Sequence, residues 1–272
     1  MKISCRRRRD WYRVRLLRGE ESLIKVGHRG AAALAPENTL RSFEAAVSAR
    51  VDTIEFDVLD LVDGPLVLAH SNDLFEVSHG KGAGSVRDRS LAELRELAPE
   101  LPTLDEALAF FADHPELGVH VDLKLKERLD EVANALRRHG LAGRTVVSSF
   151  HRPSLATMAR AAPEVRIGFT YPEDRHGISR RRSLRPVIRV SLAAFRTVLA
   201  RRVPAMVASA EAAALMLHHA VISAAAVERA HAVGAAVWAW TVDLPQELDA
   251  MEAAGVDAVI TNDPGIFAGI GS

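Results

Sequence analysis

Ionisable side chains follow several short apolar runs in the first half of the chain, in a pattern that suits a catalytic site. Glu55 and Asp57 stand two residues apart, and side chains with that spacing point to one face of a strand. Asp122 and Lys124 repeat the spacing at the end of a later apolar run. Two histidines and an arginine complete the set, and these are His28, His70 and Arg29.

The residue types in this set fit the chemistry of phosphate esters. Three converging carboxylates repel one another, and a hard divalent cation such as Mg²⁺ or Ca²⁺ relieves that repulsion. Arg29 and Lys124 suit an anionic group, because the fork of an arginine matches the geometry of a phosphate. His28 and His70 suit a general acid and a general base, since an ordinary imidazole titrates near neutrality. The set favours phosphoryl transfer or phosphodiester cleavage.

The elements that must position these residues are short apolar runs and amphipathic segments, which alternate along the chain. Runs that are apolar on both faces are typical of strands covered by helices. Strands are predicted over residues 23–27, 52–58, 118–123, 144–148, 165–169, 205–208, 235–241 and 257–261. Helices are predicted over residues 38–50, 104–113, 129–139, 153–162, 192–201, 224–233 and 245–254.

Alternation of this kind over roughly 250 residues favours a (β/α)8 TIM-type barrel or a doubly wound sheet. In a barrel, the carboxyl ends of the strands meet at one face, so the ionisable residues are expected to share one mouth. Two segments interrupt the alternation, at residues 60–102 and 171–186. The first contains a short predicted strand over residues 66–69 and a Gly-rich stretch over 79–84, which is interpreted as a flexible lid or insertion after the second strand.

Charge and cysteine content limit the classes of partner and compartment. Lys and Arg total 35 and Asp and Glu total 35, and this balance argues against broad binding to nucleic acid. The single cysteine, Cys5, excludes an intrachain disulfide and fits a reducing compartment. The most apolar stretch is shorter than the ~20 residues that span a bilayer. We expect a cytoplasmic protein with a small-molecule substrate and no integral membrane segment, built as one domain over residues 23–272 after an extension over 1–22.

Short motifs follow one another in a characteristic order. His-Arg-Gly at 28–30 is followed by Pro-Glu-Asn-Thr at 36–39, Glu-x-Asp at 55–57, Asp-Gly at 63–64 and Asp-x-Lys at 122–124. Leu-Pro-Thr-Leu at 101–104, Trp-Thr at 240–241 and Gly-Val-Asp-Ala-Val-Ile-Thr at 255–261 belong to the same series. The ordered series closely resembles the glycerophosphodiester phosphodiesterase family over about residues 23–268.

The resemblance implies a barrel fold, dependence on Mg²⁺ or Ca²⁺, and hydrolysis of glycerophosphodiesters to glycerol 3-phosphate and an alcohol. It also implies a role for each matching residue, with the choice between acid and base left open for the two histidines. By this resemblance the metal ligands are Glu55, Asp57 and Asp122, and the acid/base pair is His28 and His70. Arg29 and Lys124 contact the phosphate, and Trp240 lines the site.

The chain departs from the family pattern at a few positions. The third metal carboxylate is commonly a glutamate, and here it is Asp122, which is one methylene shorter. Ser71 replaces the usual aspartate after the second histidine, and residues 76–79 replace the usual Arg-Thr-Thr segment. These changes put substrate preference in doubt. A phosphodiesterase for lysophospholipids or phosphoinositol diesters and a non-catalytic phosphate-binding barrel are the alternatives.

Four other polar features are interpreted as structural or left open. Asn38 is predicted to cap the first helix, and a role for Glu37 in the site is left open. His218 and His219, and likewise residues 262–264, are interpreted as loop and turn features. Trp238 and Trp240 alternate on one strand and therefore point the same way, so core packing of one or both is the alternative to a site wall at Trp240.

Overall fold

Eight parallel strands close into a ring because the first strand pairs with both the second and the last. The computed structural model describes residue 16, residues 23–173 and residues 185–269. Of the nine strands in those ranges, the short β3 is the one outside the ring, antiparallel to β2. The strands are β1 (Ile24–Gly27), β2 (Thr53–Leu59), β3 (Val67–Leu68), β4 (Gly118–Leu123), β5 (Thr145–Ser149), β6 (Arg166–Tyr171), β7 (Ala214–His218), β8 (Ala236–Trp240) and β9 (Ala258–Thr261). Closure confirms the (β/α)8 barrel over the doubly wound sheet.

Helices connect the strands on the outside of the ring. Several begin where the sequence supplies a cap: Thr39, Ser90 and Thr103 each accept a bond from the backbone three residues on, in a reciprocal capping box. Within the described ranges the helices are α1 (Leu40–Ser48), α2 (Leu74–Val77), α3 (Leu91–Leu97), α4 (Leu104–Ala112), α5 (Leu129–Arg138), α6 (Arg152–Ala161), α7 (Arg185–Ala210), α8 (Ala224–Ala232) and α9 (Pro245–Ala254). None of them combines the length and apolar character needed to cross a bilayer.

Two apolar layers hold the helices and strands together. Inside the ring, the fully buried Trp238 meets His120 edge to face, with ring centroids 5.4 Å apart. Outside it, Phe43 of α1 and Phe111 of α4 pack on Phe56 of β2 at 5.5 to 5.6 Å. Burial of each such ring stabilises the fold by about 1.5–3 kcal/mol. This aromatic contact fixes two helices against the strand that carries Glu55 and Asp57.

Strand register brings residues from different strands to the same height in the barrel. Asp57 of β2 lies opposite Asp122 of β4, and Asp122 lies opposite Ser148 of β5. Two residues earlier on the same two strands, Glu55 lies opposite His120. Because parallel neighbours at one register point to the same side, these side chains enter the barrel mouth together.

The predicted strand over residues 205–208 is wrong, because these residues belong to α7. The buried side chains Leu199, Val203, Met206 and Ala210 recur every three or four residues, which is the period of a helix. A short apolar run cannot reveal its period by itself. The barrel strand that follows β6 along the chain is β7, which lies in the apolar stretch after the helix.

The insertion after β2 packs on a small core of its own. Leu61, Leu74, Val86 and Leu94 are fully buried in it. The predicted strand in this segment is present as β3. Most of the second interruption, residues 174–184, lies outside the described residues, and so does the extension over 1–22 apart from Leu16. The carbonyl of Leu16 accepts a hydrogen bond of 3.0 Å from the indole of Trp238.

Candidate active site

One cavity at the carboxyl ends of the strands collects every residue that the sequence predicted for the site. Its volume is about 100 Å³. Ser148, Phe150 and His120 line it as well. The predicted residues that line it are His28, Arg29, Glu55, Asp57, His70, Asp122, Lys124 and Trp240.

Three carboxylates meet at the floor of this cavity. Glu55, Asp57 and Asp122 each offer an oxygen within 4.8 Å of the others, and all three are at most 6% exposed. Burial, and then the charges of Asp57 and Asp122, raise the pKa of Glu55 well above its ordinary value. Such a buried excess of negative charge fits a hard divalent cation, for which carboxylate oxygens are the preferred ligands.

Two cations flank the carboxylates. Lys124 Nζ lies 3.0 Å from Asp57 Oδ1 and also pairs with Asp122. Arg29 Nε lies 3.1 Å from Asp57 Oδ2. Burial opposes ionisation of Asp57, but Lys124 and Arg29 outweigh it and hold the pKa of this carboxyl well below its ordinary range. Asp57 is therefore ionised at neutral pH.

The His-Arg-Gly turn at residues 28–30 places Arg29 beside these carboxylates. Its backbone N–H donates to Glu55 Oε2 at 2.8 Å, and its guanidinium donates to Glu37 at 2.8 Å. Gly30 has φ +90°, and a Cβ there would lie 2.2 Å from Ser42 Oγ. Glycine is therefore required for the turn to pack against α1. Glu37, whose role the sequence left open, lies beside the site as the partner of Arg29.

Asn38 does not cap the first helix, so that prediction is wrong. Thr39 is the cap, and Asn38 has a left-handed φ of 56° that turns its side chain inward. Asn38 Nδ2 donates to Asp57 Oδ2 at 2.9 Å, and the Asp57 N–H donates to Asn38 Oδ1 at 3.0 Å. Asparagine tolerates this backbone region better than most residues. The pair fixes the orientation of a candidate metal ligand.

His28 is held by two residues that the sequence analysis did not assign to the site. Asn262 Nδ2 donates to Asp243 Oδ2 at 2.7 Å, which turns Asn262 Oδ1 towards His28 Nδ1, 2.7 Å away. The Nδ1 of His28 must therefore carry the proton. Burial, and then Arg29, lower the pKa of His28 to about 3. Asn262 directly follows β9, and this position at a strand end was the available signal.

His70 enters the same cavity from the loop after β3. The backbone N–H of Ala69 donates to the carbonyl of Asp57 at 3.2 Å, which fixes the start of this loop on β2. Burial, followed by the charges of Arg29 and Lys124, lowers the pKa of His70, although Asp57 opposes them. Both histidines of the predicted pair are therefore neutral near pH 7.

A buried hydrogen bond from β5 supports Asp122. Ser148 Oγ donates to Asp122 Oδ1, so it can only accept from His120 Nε2, 2.8 Å away. Burial lowers the pKa of His120 to about 4. Neither residue was predicted for the site. His120 stands two residues before Asp122 on β4, and the period of a strand was the signal that pointed it inward.

Aromatic rings form the opposite wall. The Trp240 indole donates to the carbonyl of Met216 at 2.9 Å, and its ring meets Phe150 and His218 edge to face at 6.0 and 5.1 Å. Trp238, two residues earlier, is buried in the core. His218 accepts a bond from the N–H of Ala220 in the turn after β7 and also packs on Trp240, so it is more than a turn residue.

Comparison with known proteins identifies the family. The sequence profile of the glycerophosphoryl diester phosphodiesterase family matches residues 28–266, which covers most of the chain and all eight residues predicted for the site. The chain belongs to this family. Glycerophosphoryl diester phosphodiesterases hydrolyse glycerophosphodiesters, so the protein is a phosphoric diester hydrolase, as the resemblance implied.

Full-length relatives and solved structures agree with this assignment. A glycerophosphodiester phosphodiesterase of Caldanaerobacter subterraneus subsp. tengcongensis is 27% identical over 89% of this chain and 94% of its own length. A crystal structure of a Silicibacter pomeroyi protein that carries the family's name has a TM-score of 0.75, at 25% identity over 92% and 93% of the two chains. An Oleispira antarctica phosphodiesterase in complex with sn-glycerol-3-phosphate has the same fold, with a TM-score of 0.68 at 24% identity over 88% and 93%.

Proposed function

We propose that the protein hydrolyses glycerophosphodiesters to glycerol 3-phosphate and an alcohol, with one Mg²⁺ or Ca²⁺ held by Glu55, Asp57 and Asp122. The observation that carries this proposal is the convergence of three buried carboxylates within 4.8 Å in the cavity that His28 and His70 line. A non-catalytic phosphate-binding barrel has no need for paired imidazoles. The neighbour that binds sn-glycerol-3-phosphate supports the same product for this chain.

When bound, the cation neutralises charge on the phosphoryl oxygens and polarises the phosphorus centre. Arg29 and Lys124 stand beside the carboxylates as contacts for the remaining phosphate oxygens. Lys124 suits this because burial, which would lower its pKa, is outweighed by Asp122 and Asp57, and the pKa of the ammonium is raised. The Trp240 ring supplies a flat apolar wall for the glycerol carbons.

Proton movement falls to the two histidines. The attacking hydroxyl or water must lose a proton, and the leaving alcohol must gain one. His28 keeps its Nδ1 proton against Asn262, so Nε2 is the atom that exchanges a proton with the reacting groups. Nε2 lies 3.9 Å from Glu55 Oε2, on the side of the cavity where the cation is held. His70 serves the other proton transfer from the loop after β3.

The test is hydrolysis of a panel of glycerophosphodiesters, with phosphate release coupled to a phosphomonoesterase. We expect turnover with Mg²⁺ or Ca²⁺ and none after chelation by EDTA. His28→Ala and His70→Ala should each lower kcat by at least ~100-fold, the usual worth of general acid–base catalysis. His139→Ala is the matched control, because His139 ends α5 and pairs with Asp105 on the surface. Inactivity of the wild-type protein on every diester and metal would favour the non-catalytic alternative.

The limits of the domain, residues 23–272 after an extension over 1–22, remain predictions. A cytoplasmic location and the absence of a nucleic-acid partner also stay predictions.

A further inference from the structure

A second cavity opens beside the catalytic one, between the insertion and the loops that follow β4 and β5. We call it the Lys126 cavity; its volume is about 280 Å³. It shares the side chains of His70, Lys124 and Phe150 with the catalytic cavity. When the phosphate of a diester contacts Lys124, one of the two groups esterified to that phosphate can therefore extend into this space.

The lining of the Lys126 cavity is cationic. Among the residues that the structure describes, three cationic side chains, Arg87, Lys124 and Lys126, face it against one carboxylate, Glu173. His151 adds an imidazole whose Nδ1 accepts from the backbone at the start of α6, so its Nε2 carries the proton. Carboxylates outside the lining pair with Arg87 and Lys124, so the positive charge open to an anionic ligand is that of Lys126.

Lys126 differs from the other two cations in its pairing. Arg87 is held 2.6 Å from Asp60, and Lys124 is paired with Asp57 and Asp122. Lys126 is exposed, and in the described part of the chain no carboxylate pairs with it. Its charge is therefore available to a ligand at little cost in desolvation.

Two further cavities in the described part of the chain also reach His70, and they lack this charge. Their volumes are about 290 and 650 Å³. Among the described lining residues, carboxylates outnumber cations by one in each. The first has Glu37, Glu76 and Glu100 against Arg41 and Lys81. The second has Glu37 and Glu76 against Arg29. A second anionic group is therefore favoured in the Lys126 cavity alone among these three.

We propose that the Lys126 cavity binds a second phosphate group, carried by the alcohol half of the substrate. The preferred substrate class is then a glycerophosphodiester whose alcohol is itself phosphorylated, such as a glycerophosphoinositol phosphate. This inference rests on the proposed function. Lys126 and Arg87 recognise the second phosphate while Lys124 and Arg29 hold the one that is cleaved.

The test compares two substrates that differ by one phosphate: glycerophosphoinositol and glycerophosphoinositol 4-phosphate. We expect kcat/KM to be about 5- to 10-fold higher for the phosphorylated diester at low ionic strength, which is about 1–1.4 kcal/mol and matches the upper end for a solvent-exposed ion pair. The ratio should fall towards 1 in Lys126→Met, and also at 0.5 M NaCl, where the Debye length is about 4 Å. Lys81→Met is the matched control, since Lys81 is also exposed but lines another cavity; its ratio should match that of the wild type.

A wild-type ratio of 1 or less would overturn the inference, and so would an unchanged ratio in Lys126→Met. Failure of the proposed function gives a different result, because neither diester is then hydrolysed. In that event calorimetric titration in Ca²⁺ buffer decides: tighter binding of the phosphorylated diester supports the cavity, and equal Kd values overturn it.

Discussion

The Nδ1 atom of His28 and the Oδ1 atom of Asn262 lie 2.7 Å apart, although 234 positions separate them in the chain. Asp243 fixes Asn262 from behind: its Oδ2 accepts from the side-chain Nδ2 of Asn262 at 2.7 Å, and its Oδ1 accepts from the backbone N–H at 2.8 Å. The three residues come from the ends of β1 and β9 and from the loop after β8. A candidate catalytic imidazole is thus oriented by the closure of the barrel, where its first and last strands meet.

Loss of Asn262 should reduce the rate without unfolding the protein. Asn262→Ala removes the acceptor that holds the Nδ1 proton of His28, and we expect kcat to fall about 10- to 100-fold, with a smaller change in KM. The ¹⁵N shift of His28 should show its Nδ1 tautomer mixing with the Nε2 form. Asp263→Ala is the neighbouring control, because Asp263 bonds to the N–H of Gly265 instead. An unchanged tautomer in Asn262→Ala would remove this residue from the site.

Divalent cations should stabilise the folded protein through Asp122. Mg²⁺ or Ca²⁺ at 100 times its Kd adds about 2.7 kcal/mol to the free energy of unfolding, and this raises Tm by several degrees. Asp122→Asn should lose most of that rise, and Asp122→Glu should keep it, because glutamate restores a carboxylate. Asp105→Asn on the surface of α4 is the control. Thermal melts with and without EDTA measure the effect, and equal rises in wild type and Asp122→Asn would exclude Asp122 as a ligand.

Gly30 should tolerate no side chain. Gly30→Ala combines a φ of +90° with a Cβ only 2.2 Å from Ser42 Oγ, so we expect a loss of at least ~2 kcal/mol in the free energy of unfolding. Gly84→Ala isolates the backbone term, since Gly84 has φ +109° but no atom within 4 Å of a Cβ. It should cost about 1 kcal/mol. Urea unfolding of both variants gives the comparison, and equal losses would show that the contact with Ser42 is unimportant.

Acid should destabilise the protein in part through His218. Burial, and then His219, lower its pKa to about 4 in the folded protein, against an ordinary value of 6.5. Between these values the unfolded chain binds more protons than the folded protein. The contribution of His218 to the free energy of unfolding is therefore fully present above pH 6.5 and is lost as pH falls towards 4.

The size of this effect can be isolated with one variant. Between pH 7.5 and pH 5, wild type should lose about 1–2 kcal/mol more than His218→Gln in the free energy of unfolding. Other buried histidines titrate equally in both proteins, so the difference reports His218. Urea unfolding at the two pH values measures it, and parallel losses in the two proteins would contradict the prediction.

Local pattern was sufficient for most of the framework. Runs apolar on both faces marked seven of the eight barrel strands, because a strand covered by helices has no solvent face to interrupt the run. The exception was the strand predicted at residues 205–208. There an Ala- and Val-rich turn of α7 resembles a strand, and only the packing of Leu199, Val203 and Met206 on the barrel reveals the helical period.

The sequence by itself determined the residue types of the site: the i, i+2 spacing aims Glu55 with Asp57, and each chemical group follows an apolar run. Only the tertiary structure decided which groups meet. The register of β2 on β4 sets Asp57 beside Asp122, and the closure of β1 on β9 brings Asn262 to His28. The tertiary structure also shows that Asn38 contacts Asp57 and does not cap the first helix. The physical reason is that spacing fixes the direction of a side chain on its own strand, whereas its partners depend on how distant strands align.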